Sequence, residues 1–355
     1  MGFQRLLNTY HLEMNSRSKR LPTETLDDLV DGLADAISEL DGARVAIFGG
    51  TGFIGSWITS TLVNAMSKGL KLNLYIISRN PTAINLDISK IGKSQINFLS
   101  VDLTKSIPSE LTQIDKFIIS STPTSSKHGY KKSGKITQAT NTMINFFNEE
   151  LIKIINKEKT ILHLSSGAVY RCHKQTSKPY LENNETHKNP TDTYVNSKIA
   201  IEETLKKISI ENTNIKVANP RLFAFYGPGL PLDEHFAIGN FLLDAVQQNY
   251  VNIQGNQATV RSYMHVADLT CALIKLLVNP ISEPINLGSN KEITMLELAQ
   301  SICNEFRCPG VTISNKDSNT SYYVPDISNA TNHLAPLEKT NFLDGLHKWK
   351  DWVVK

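Results

Sequence analysis

Residues 44–55 read RVAIFGGTGFIG, a short apolar run that leads directly into a turn rich in glycine. The run has the length and composition of a buried strand, and the apolar spacing over residues 54–66 predicts a helix after the turn. Glycine lets the backbone approach a pyrophosphate closely, and a helix N-terminus presents free N–H groups to phosphate. The spacing of Gly49, Gly52 and Gly55 therefore predicts a dinucleotide-binding turn, which Phe53 and Ile54 would join.

The chain continues with five more short apolar runs, separated by polar or amphipathic stretches. The runs are residues 74–77, 96–99, 117–119, 160–164 and 215–218. Strands that alternate with helical patterns, such as residues 136–155, predict right-handed crossovers and a parallel sheet covered on both faces. The sequence therefore predicts an α/β fold with a doubly wound parallel sheet of the Rossmann type. Ligands of such sheets bind outside the carboxyl ends of the strands.

The pattern divides the chain into three regions. Residues 1–43 form an N-terminal helical extension, because apolar residues from Leu26 to Leu40 recur at the spacing of one amphipathic helix. Residues 44–222 form the NAD(P)-binding Rossmann domain. Residues 223–355 are more irregular and predict a smaller C-terminal α/β substrate lobe, from which some segments return to the Rossmann sheet.

The composition argues against several classes of protein. The 355 residues carry a net charge of +3, and no basic stripe interleaved with aromatic residues points to nucleic acid. No apolar run reaches the roughly 18 residues of a membrane span, and residues 1–20 lack the apolar core of a secretory signal. We therefore expect a cytoplasmic protein without a membrane partner, whose four cysteines are free thiols. The histidines show no ligand spacing, so no metal is expected.

The end of the second strand bears on the choice between NAD and NADP. An Asp or Glu there would accept hydrogen bonds from the adenosine ribose of NAD, but this strand ends in Ser78 and Arg79. A guanidinium pairs well with a 2′-phosphate, so Arg79 favours NADP, whereas backbone contacts beside a solvated Arg79 would suit NAD. Later strand ends supply Asp102 and Leu103 as candidates for the adenine site, and Ser120 and Ser121 for the path to the nicotinamide.

A candidate acid–base group lies where a later helical pattern begins. Tyr194 and Lys198 are four residues apart and share one helix face, where an ammonium favours the phenolate and lowers the pKa of the Tyr. A phenolate can take the proton of a sugar hydroxyl while hydride leaves for a nicotinamide. Ser166, at the end of the fifth strand, would hydrogen-bond the reacting oxygen. A second copy of the spacing, Tyr170 with Lys174, leads into a loop, so we interpret Tyr170 as a structural aromatic.

Together these motifs resemble the extended short-chain dehydrogenase/reductase superfamily, and within it the NAD(P)-dependent nucleotide-sugar epimerase/dehydratase family. The resemblance covers about residues 44–299. It rests on residues 49–55, residues 165–170, Tyr194 with Lys198, residues 221–229 and residues 261–269. It implies a catalytic triad of Ser166, Tyr194 and Lys198, with Lys198 also on the nicotinamide ribose. It further implies a nucleotide-sugar substrate and a homodimer formed through the helices around Asn141 and Tyr194.

The resemblance also implies individual contacts. Asn141 would support Lys198 through water, and Pro220 would contact the cofactor. Arg261 would pair with the substrate diphosphate, which suits bidentate guanidinium chemistry. Tyr263 would be a further substrate contact, and residues 230–241 correspond to the substrate loop.

Two departures from the family pattern narrow the chemistry. The family's 4,6-dehydratases carry an acid pair after the active-site Ser or Thr, where this chain has Gly167 and Ala168. The decarboxylases keep a Glu at the second position, so Ala168 argues against them. Ala224 replaces an Asn that contacts the diphosphate. The sequence therefore predicts a sugar epimerase or keto-reductase and not a 4,6-dehydratase. The alternative is a non-catalytic NAD(P)-binding regulatory or scaffold protein on the same fold.

Overall fold

The computed structural model describes most of the chain. The described ranges are residues 19–92, 94–121, 129–154, 157–170, 178–189, 191–232, 236–314 and 320–354. The start of the N-terminal extension, Lys174 and residues 233–235 of the predicted substrate loop lie outside these ranges.

The helices and strands alternate along the first two thirds of the chain. The strands are β1 (Arg44–Phe48), β2 (Asn73–Ser78), β3 (Ile96–Ser100), β4 (Lys116–Ile119), β5 (Lys159–His163), β6 (Ser165–Ser166), β7 (Ile215–Ala218), β8 (Pro220–Leu222), β9 (Phe225–Tyr226), β10 (Val251–Ile253), β11 (Val260–Ser262), β12 (Met264–His265), β13 (Ile285–Leu287), β14 (Glu292–Thr294), β15 (Val311–Ile313) and β16 (Tyr322–Tyr323). The α-helices are α1 (Thr23–Gly32), α2 (Ala34–Ser38), α3 (Phe53–Ser67), α4 (Gly129–Asn145), α5 (Thr193–Glu211), α6 (Ala237–Val246), α7 (Val266–Val278), α8 (Met295–Phe306), α9 (Ser328–Leu334) and α10 (Phe342–Val354). Single turns of 3-10 or π helix occupy Ser109–Gln113, Phe146–Leu151, Ile152–Ile154 and Gly167–Tyr170.

The central sheet has six strands in the order β3-β2-β1-β4-β5-β7. Every neighbouring pair is parallel. The strand order reverses between β1 and β4, and this switch point opens a crevice at the carboxyl ends of the strands. The prediction of a doubly wound parallel sheet of the Rossmann type is therefore confirmed.

Helices cover both faces of this sheet, which explains why its strands are almost continuously apolar. Val45 and Ile47 of β1 point to one face, where side chains of α3 and α7 complete the core. Ala46 and Phe48 point to the other face, against side chains of α4 and α5. Full burial of a large apolar side chain stabilises the fold by about 1.5–3 kcal/mol, so the two cores hold the sheet between the helix layers.

The second half of the chain builds smaller sheets and returns to the first half. β8 lies between β6 and β13 in a three-stranded parallel sheet, so it connects the region after β5 to a much later segment. β11 lies between β14 and β16, β10 pairs with β15, and β9 pairs with β12. A separate apolar core joins α6, α8 and α10.

The described part of the N-terminal extension, residues 19–43, contains two helices where the apolar spacing from Leu26 to Leu40 predicted one. α1 ends at Gly32, Leu33 leaves helical geometry with φ −116° and ψ 13°, and α2 begins at Ala34. Glycine is a poor helix former, so ending the helix at Gly32 costs little free energy. The break leaves Leu33 and Ile37 both buried in a cluster with Trp57 of α3 and side chains of α7. Tertiary packing therefore outweighs the continuity of one helix.

Two other expectations are corrected. Cys303 and Cys308 form a disulfide, contrary to the expectation of four free thiols. Arg307 after α8 has a left-handed φ of 55°, which turns the chain back and brings the two Cα atoms within 5.1 Å. Cys271 is a buried free thiol. The helix expected over residues 136–155 begins earlier, and α4 gives way at Asn145 to a π-helical turn.

Two further findings concern the described ranges as a whole. None of the helices within them is long and apolar enough to cross a membrane. The same residues contain no group of three or more His, Cys, Asp or Glu side chains placed to hold a metal ion.

Candidate active site

The glycine turn lies between β1 and α3, at the switch point of the sheet. Gly49 has a φ of 82°, in the left-handed region that favours glycine. A Cβ on Gly49 would lie 2.9 Å from the carbonyl oxygen of Ser120, and one on Gly55 would lie 2.9 Å from the carbonyl carbon of Gly49. Gly52 is the N-cap of α3 and brings no side-chain cap to its first N–H groups. An uncapped helix N-terminus behind a bare turn suits a phosphate.

The other predicted cofactor residues on this edge of the sheet include two buried hydroxyl groups. Phe53 and Ile54 begin α3 and are half-buried. Ser78 ends β2 and Ser121 lies just after β4, and within the described residues neither side-chain oxygen has a hydrogen-bond partner. A buried hydroxyl without a partner in a folded protein usually marks a missing water or ligand. These hydroxyls and the bare turn fit the ribose and phosphate groups of a dinucleotide.

Arg79 and Asp102, both predicted to bind the adenosine half of the cofactor, lie just beyond the ends of the neighbouring strands β2 and β3. Arg79 is exposed just beyond β2, and Leu103 is half-buried after β3. Asp102 accepts hydrogen bonds from the Thr104 backbone N–H at 3.0 Å and from its hydroxyl at 2.8 Å. These two bonds lower the pKa of Asp102, with smaller contributions from the charges of Lys105 and Arg79. Arg79 and an ionised carboxylate thus lie in one neighbourhood, beyond the ends of two adjacent strands.

The three residues of the predicted triad lie on β6 and at the start of α5. Asp192 caps α5 by accepting the Val195 N–H at 3.1 Å, which fixes the first turn that carries Tyr194. Lys198 Nζ lies 5.7 Å from the centre of the Tyr194 ring. Ser166 is buried, and its Oγ accepts a backbone N–H.

Lys198 is held by a backbone carbonyl next to Ser166. Its Nζ donates to the Leu164 carbonyl oxygen at 2.5 Å, in the link between β5 and β6. Burial lowers the pKa of Lys198 to about 7, and the charge of Glu202 opposes that effect. His163, at the end of β5, is fully buried, and burial together with the Lys198 charge lowers its pKa well below its usual value. Burial therefore favours the neutral forms of both His163 and Lys198, whereas Glu202 favours the Lys198 ammonium.

The sequence did not reveal a buried ion pair, Glu202 with Arg221, which lies next to the residues of the predicted triad. Glu202 accepts two hydrogen bonds from Arg221 of β8, from Nε at 3.2 Å and from Nη2 at 2.8 Å. It also accepts the hydroxyl of Ser165, the neighbour of Ser166 on β6. Arg221 Nη1 donates to the Tyr170 hydroxyl at 2.8 Å. The only sequence signal is an acidic residue four positions after Lys198, which places it on the same helix face as Lys198.

Gly167 stands where the 4,6-dehydratase pattern has its first acid, and aromatic side chains fill the space beside it. A Cβ on Gly167 would lie 2.6 Å from Cε2 of Phe223 and 2.7 Å from the hydroxyl oxygen of Tyr323. The two rings are in contact, with centroids 4.6 Å apart. Ala168, the next residue, is buried. The structure therefore leaves no room for a longer side chain at 167 unless both rings move.

Four further residues were predicted to bind the cofactor or the substrate. Arg261 is half-buried on β11, where Nη2 donates to the Ser321 hydroxyl at 2.8 Å and the guanidinium lies 5.9 Å from the Tyr323 ring centre. Tyr263 is half-buried, and burial raises its pKa. Asn141 is exposed on α4, and Pro220 is buried at the start of β8, opposite Ile285 of β13.

The strand order and the glycine turn define a dinucleotide-binding fold of the Rossmann type. The chain matches the NAD dependent epimerase/dehydratase family over residues 45–288, and it belongs to that family. The members of this family are enzymes that act on nucleotide-sugars, and the resemblance inferred from the motifs is confirmed.

Two curated relatives carry the same name. UDP-glucuronic acid decarboxylase 1 of Arabidopsis thaliana is 26% identical over 309 residues, which are 85% of this chain and 68% of that protein. UDP-glucuronic acid decarboxylase 1 of Danio rerio is 26% identical over 272 residues, 75% of this chain and 61% of that protein. The chain therefore spans less than two thirds of the Danio rerio relative.

Solved structures share the fold at lower identity. Epimerase Mth375 of Methanothermobacter thermautotrophicus superposes with a TM-score of 0.74 at 21% identity, covering 92% of this chain and 96% of that one. MoeE5, solved in complex with UDP-glucose and NAD, gives a TM-score of 0.71 at 19% identity, covering 88% of this chain and 98% of that one. These likenesses confirm the fold.

Proposed function

We propose that this chain moves a hydride and a proton at one carbon of a nucleotide-sugar, as an epimerase or a keto-reductase, with Ser166, Tyr194 and Lys198 as its catalytic residues. The observation that carries the proposal is the buried Lys198 ammonium, fixed to the Leu164 carbonyl and next to the Tyr194 ring. An ammonium in that place stabilises negative charge on a neighbouring oxygen far better than it would in water.

Each protein group then has one task. Ser166, whose Oγ already accepts the Ala168 N–H at 3.2 Å, keeps its own proton free to donate to the reacting sugar oxygen. Tyr194 takes the proton of the sugar hydroxyl during oxidation and returns it during reduction. Lys198 stabilises the phenolate form of Tyr194 electrostatically. A bound nicotinamide would supply the hydride acceptor and donor.

The cofactor is proposed to be NAD or NADP, held on the glycine turn. Gly49, Gly52 and Gly55 give the pyrophosphate room, and Ser78 and Ser121 offer hydroxyls without partners among the described residues. MoeE5 binds NAD, whereas the exposed Arg79 of this chain suits a 2′-phosphate. Mass spectrometry of the cofactor retained by the purified protein would distinguish the two by the presence of the extra phosphate.

The packing around Gly167 supports a reaction without elimination of water. A 4,6-elimination needs an acid and a base beside the oxidised carbon. Gly167 and Ala168 have no titratable group, and Phe223 and Tyr323 occupy the space at the first of these positions. Ala168 stands where the decarboxylase pattern has a glutamate, so the carboxylate of that pattern is absent here, although the two curated relatives are decarboxylases.

The function is tested by incubating the protein with UDP-glucose or UDP-glucuronic acid, with and without added NADPH. An epimerase forms a stereoisomer of the nucleotide-sugar without consuming reduced cofactor. A keto-reductase, given the corresponding 4-keto sugar, consumes NADPH in equal amount to product. Tyr194→Phe should lower either rate by about 100-fold or more and leave cofactor binding intact. Release of carbon dioxide from UDP-glucuronic acid, or an unchanged rate in Tyr194→Phe, would refute the proposal.

A further inference from the structure

The buried pair Glu202–Arg221 lies where the strand and the helix of the proposed site meet. Glu202 is on α5, one helical turn after Lys198 and therefore on the same face. Arg221 is on β8, which pairs with β6, so Arg221 lies beside Ser165 in the register. Glu202 and Arg221 are 9% and 5% exposed, so both charges are removed from water.

We propose that Glu202 is a positioning residue of this site: its carboxylate fastens the strand that carries Ser166 to the helix that carries Tyr194 and Lys198, and it keeps Lys198 protonated. The role given to Lys198 rests on the proposed function; the attachment of strand to helix does not.

The attachment is made by one carboxylate with three donors. Ser165 donates its hydroxyl to Glu202, and Arg221 donates through Nε and Nη2. A bidentate contact between a guanidinium and a carboxylate fixes the relative orientation of the two groups as well as their distance. Because Ser165 and Ser166 are adjacent on β6, loss of the hydrogen bond from Ser165 to Glu202 would loosen the position of Ser166 relative to the helix.

Arg221 is itself anchored on the far side, so it cannot follow a displaced Glu202 freely. Its Nη1 donates to the Tyr170 hydroxyl at 2.8 Å, and Tyr170 in turn donates to Asn286 Oδ1 at 2.9 Å. Burial disfavours the Arg221 charge, but the hydrogen bonds and charge of Glu202 outweigh burial and raise the pKa of Arg221. The pair is therefore tied to β13 through Tyr170 and Asn286.

The electrostatic part follows from what surrounds Lys198. The Leu164 carbonyl contributes a dipole, and His163 from β5 is neutral because burial lowers its pKa. Glu202 is the charge that favours the Lys198 ammonium, whereas burial disfavours it. Tyr194 is a further titratable group beside Lys198, one helical turn before it on α5, and Arg221 is held by Glu202. Removing the Glu202 charge should therefore release the proton of Lys198 at lower pH.

The test measures the proton on Lys198 directly. Because Lys198 is buried and out of reach of reagents, the lysine Cε positions of the purified protein, with whatever cofactor it retains, are labelled with carbon-13 and followed by NMR over a pH series. The Lys198 signal is assigned by its absence in Lys198→Arg. Glu202→Gln alone leaves Arg221 buried and unpaired, which can unfold the chain. The main variant is therefore the double substitution Glu202→Gln with Arg221→Gln. The control is Glu203→Gln, an exposed neighbour on α5 that pairs with Lys188.

We expect the NMR titration midpoint of Lys198 to fall by about one pH unit in the double variant and to stay unchanged in Glu203→Gln. A double variant that stays folded, as judged by its circular dichroism spectrum, and keeps the midpoint of the unmodified protein would overturn the electrostatic role. A role in folding alone would lower Tm without moving this midpoint.

Ser165→Ala tests the attachment separately, because it removes the hydroxyl and keeps the carboxylate. With UDP-glucose and NAD, kcat should fall by about tenfold with KM little changed, while the Lys198 midpoint stays where it was. An unchanged kcat would overturn the attachment. If the unmodified protein turns over no nucleotide-sugar, the proposed function fails, whereas the NMR titration of Lys198 still decides the electrostatic role of Glu202.

Discussion

Replacing Gly55 by alanine should weaken dinucleotide binding with little effect on the sheet. An added Cβ would lie 2.9 Å from the Gly49 carbonyl carbon and 3.0 Å from the Gly50 Cα, and closer still to the Gly49 carbonyl oxygen. All three atoms belong to the backbone of the turn, so no side chain can move aside. The first turn of α3 and the glycine turn must therefore separate, which changes the surface presented to the pyrophosphate.

The size of the effect follows from the cost of overpacking. Inserting a methyl group where nothing can yield costs about 1–3 kcal/mol. If the empty protein relaxes by opening the turn, most of that cost falls on binding, and the Kd for NAD rises by about 10- to 100-fold. If the turn stays closed, the same cost lowers the free energy of unfolding and reduces Tm by a few degrees.

The assay measures both quantities on the same samples, the Kd for NAD by calorimetric titration and Tm by thermal unfolding. Gly134→Ala is the matched control, because Gly134 is in the interior of α4 and an added Cβ would meet nothing within 4 Å. In a helix this change should stabilise by about 0.5–1 kcal/mol. A Gly55→Ala protein with the Kd and Tm of the unmodified protein would refute the reasoning about the turn.

Three other predictions use the electrostatics of the described residues. Burial holds the pKa of Lys198 at about 7, so kcat should fall as the pH rises through that value and the ammonium is lost; a rate that stays constant to about pH 9 would contradict this. Arg79→Ala should weaken NADP binding by about tenfold and leave NAD binding unchanged in paired titrations, and an equal loss for both would show that Arg79 does not read the 2′-phosphate. Burial, aided by Lys348, holds the pKa of His265 at about 4 against an ordinary 6.5, so unfolding takes up a proton between those values. Stability should therefore be complete above pH 6.5 and fall toward pH 4, by about 3 kcal/mol from this group, and His265→Gln should make Tm depend less on pH in that range.

The central sheet could be predicted from the sequence because its signals are local. Each strand is a short apolar run, and β1 is followed within seven residues by the glycines of the turn. Neither feature needs knowledge of distant residues. The same reasoning found Tyr194 and Lys198, since their spacing on one helix face is also local.

What the sequence did not reveal depends on pairs that are far apart in the chain. Glu202 and Arg221 are separated by 19 residues and meet because β8 pairs beside β6. Gly167 and Tyr323 are brought together by the C-terminal segment. The helix is interrupted at Leu33 because Leu33 packs on α3 and α7. The apolar spacing within residues 1–43 carries no information about that packing. The disulfide is local, but it needs the left-handed turn at Arg307, a residue type that seldom adopts it.

The absence of an acid at position 167 is matched by the side chains that pack around Gly167, so it involves more than this one residue. Phe223 lies against Tyr323 and also against Tyr180, whose ring centre is 6.1 Å away. A carboxylate at 167 would have to displace the rings of Phe223 and Tyr323, and a charge surrounded by aromatic side chains would be poorly solvated. Placing an acid at 167 would therefore need smaller residues at 223 and 323 as well. A conversion of this site to elimination chemistry thus requires several coordinated changes, in agreement with the proposed transfer at a single carbon.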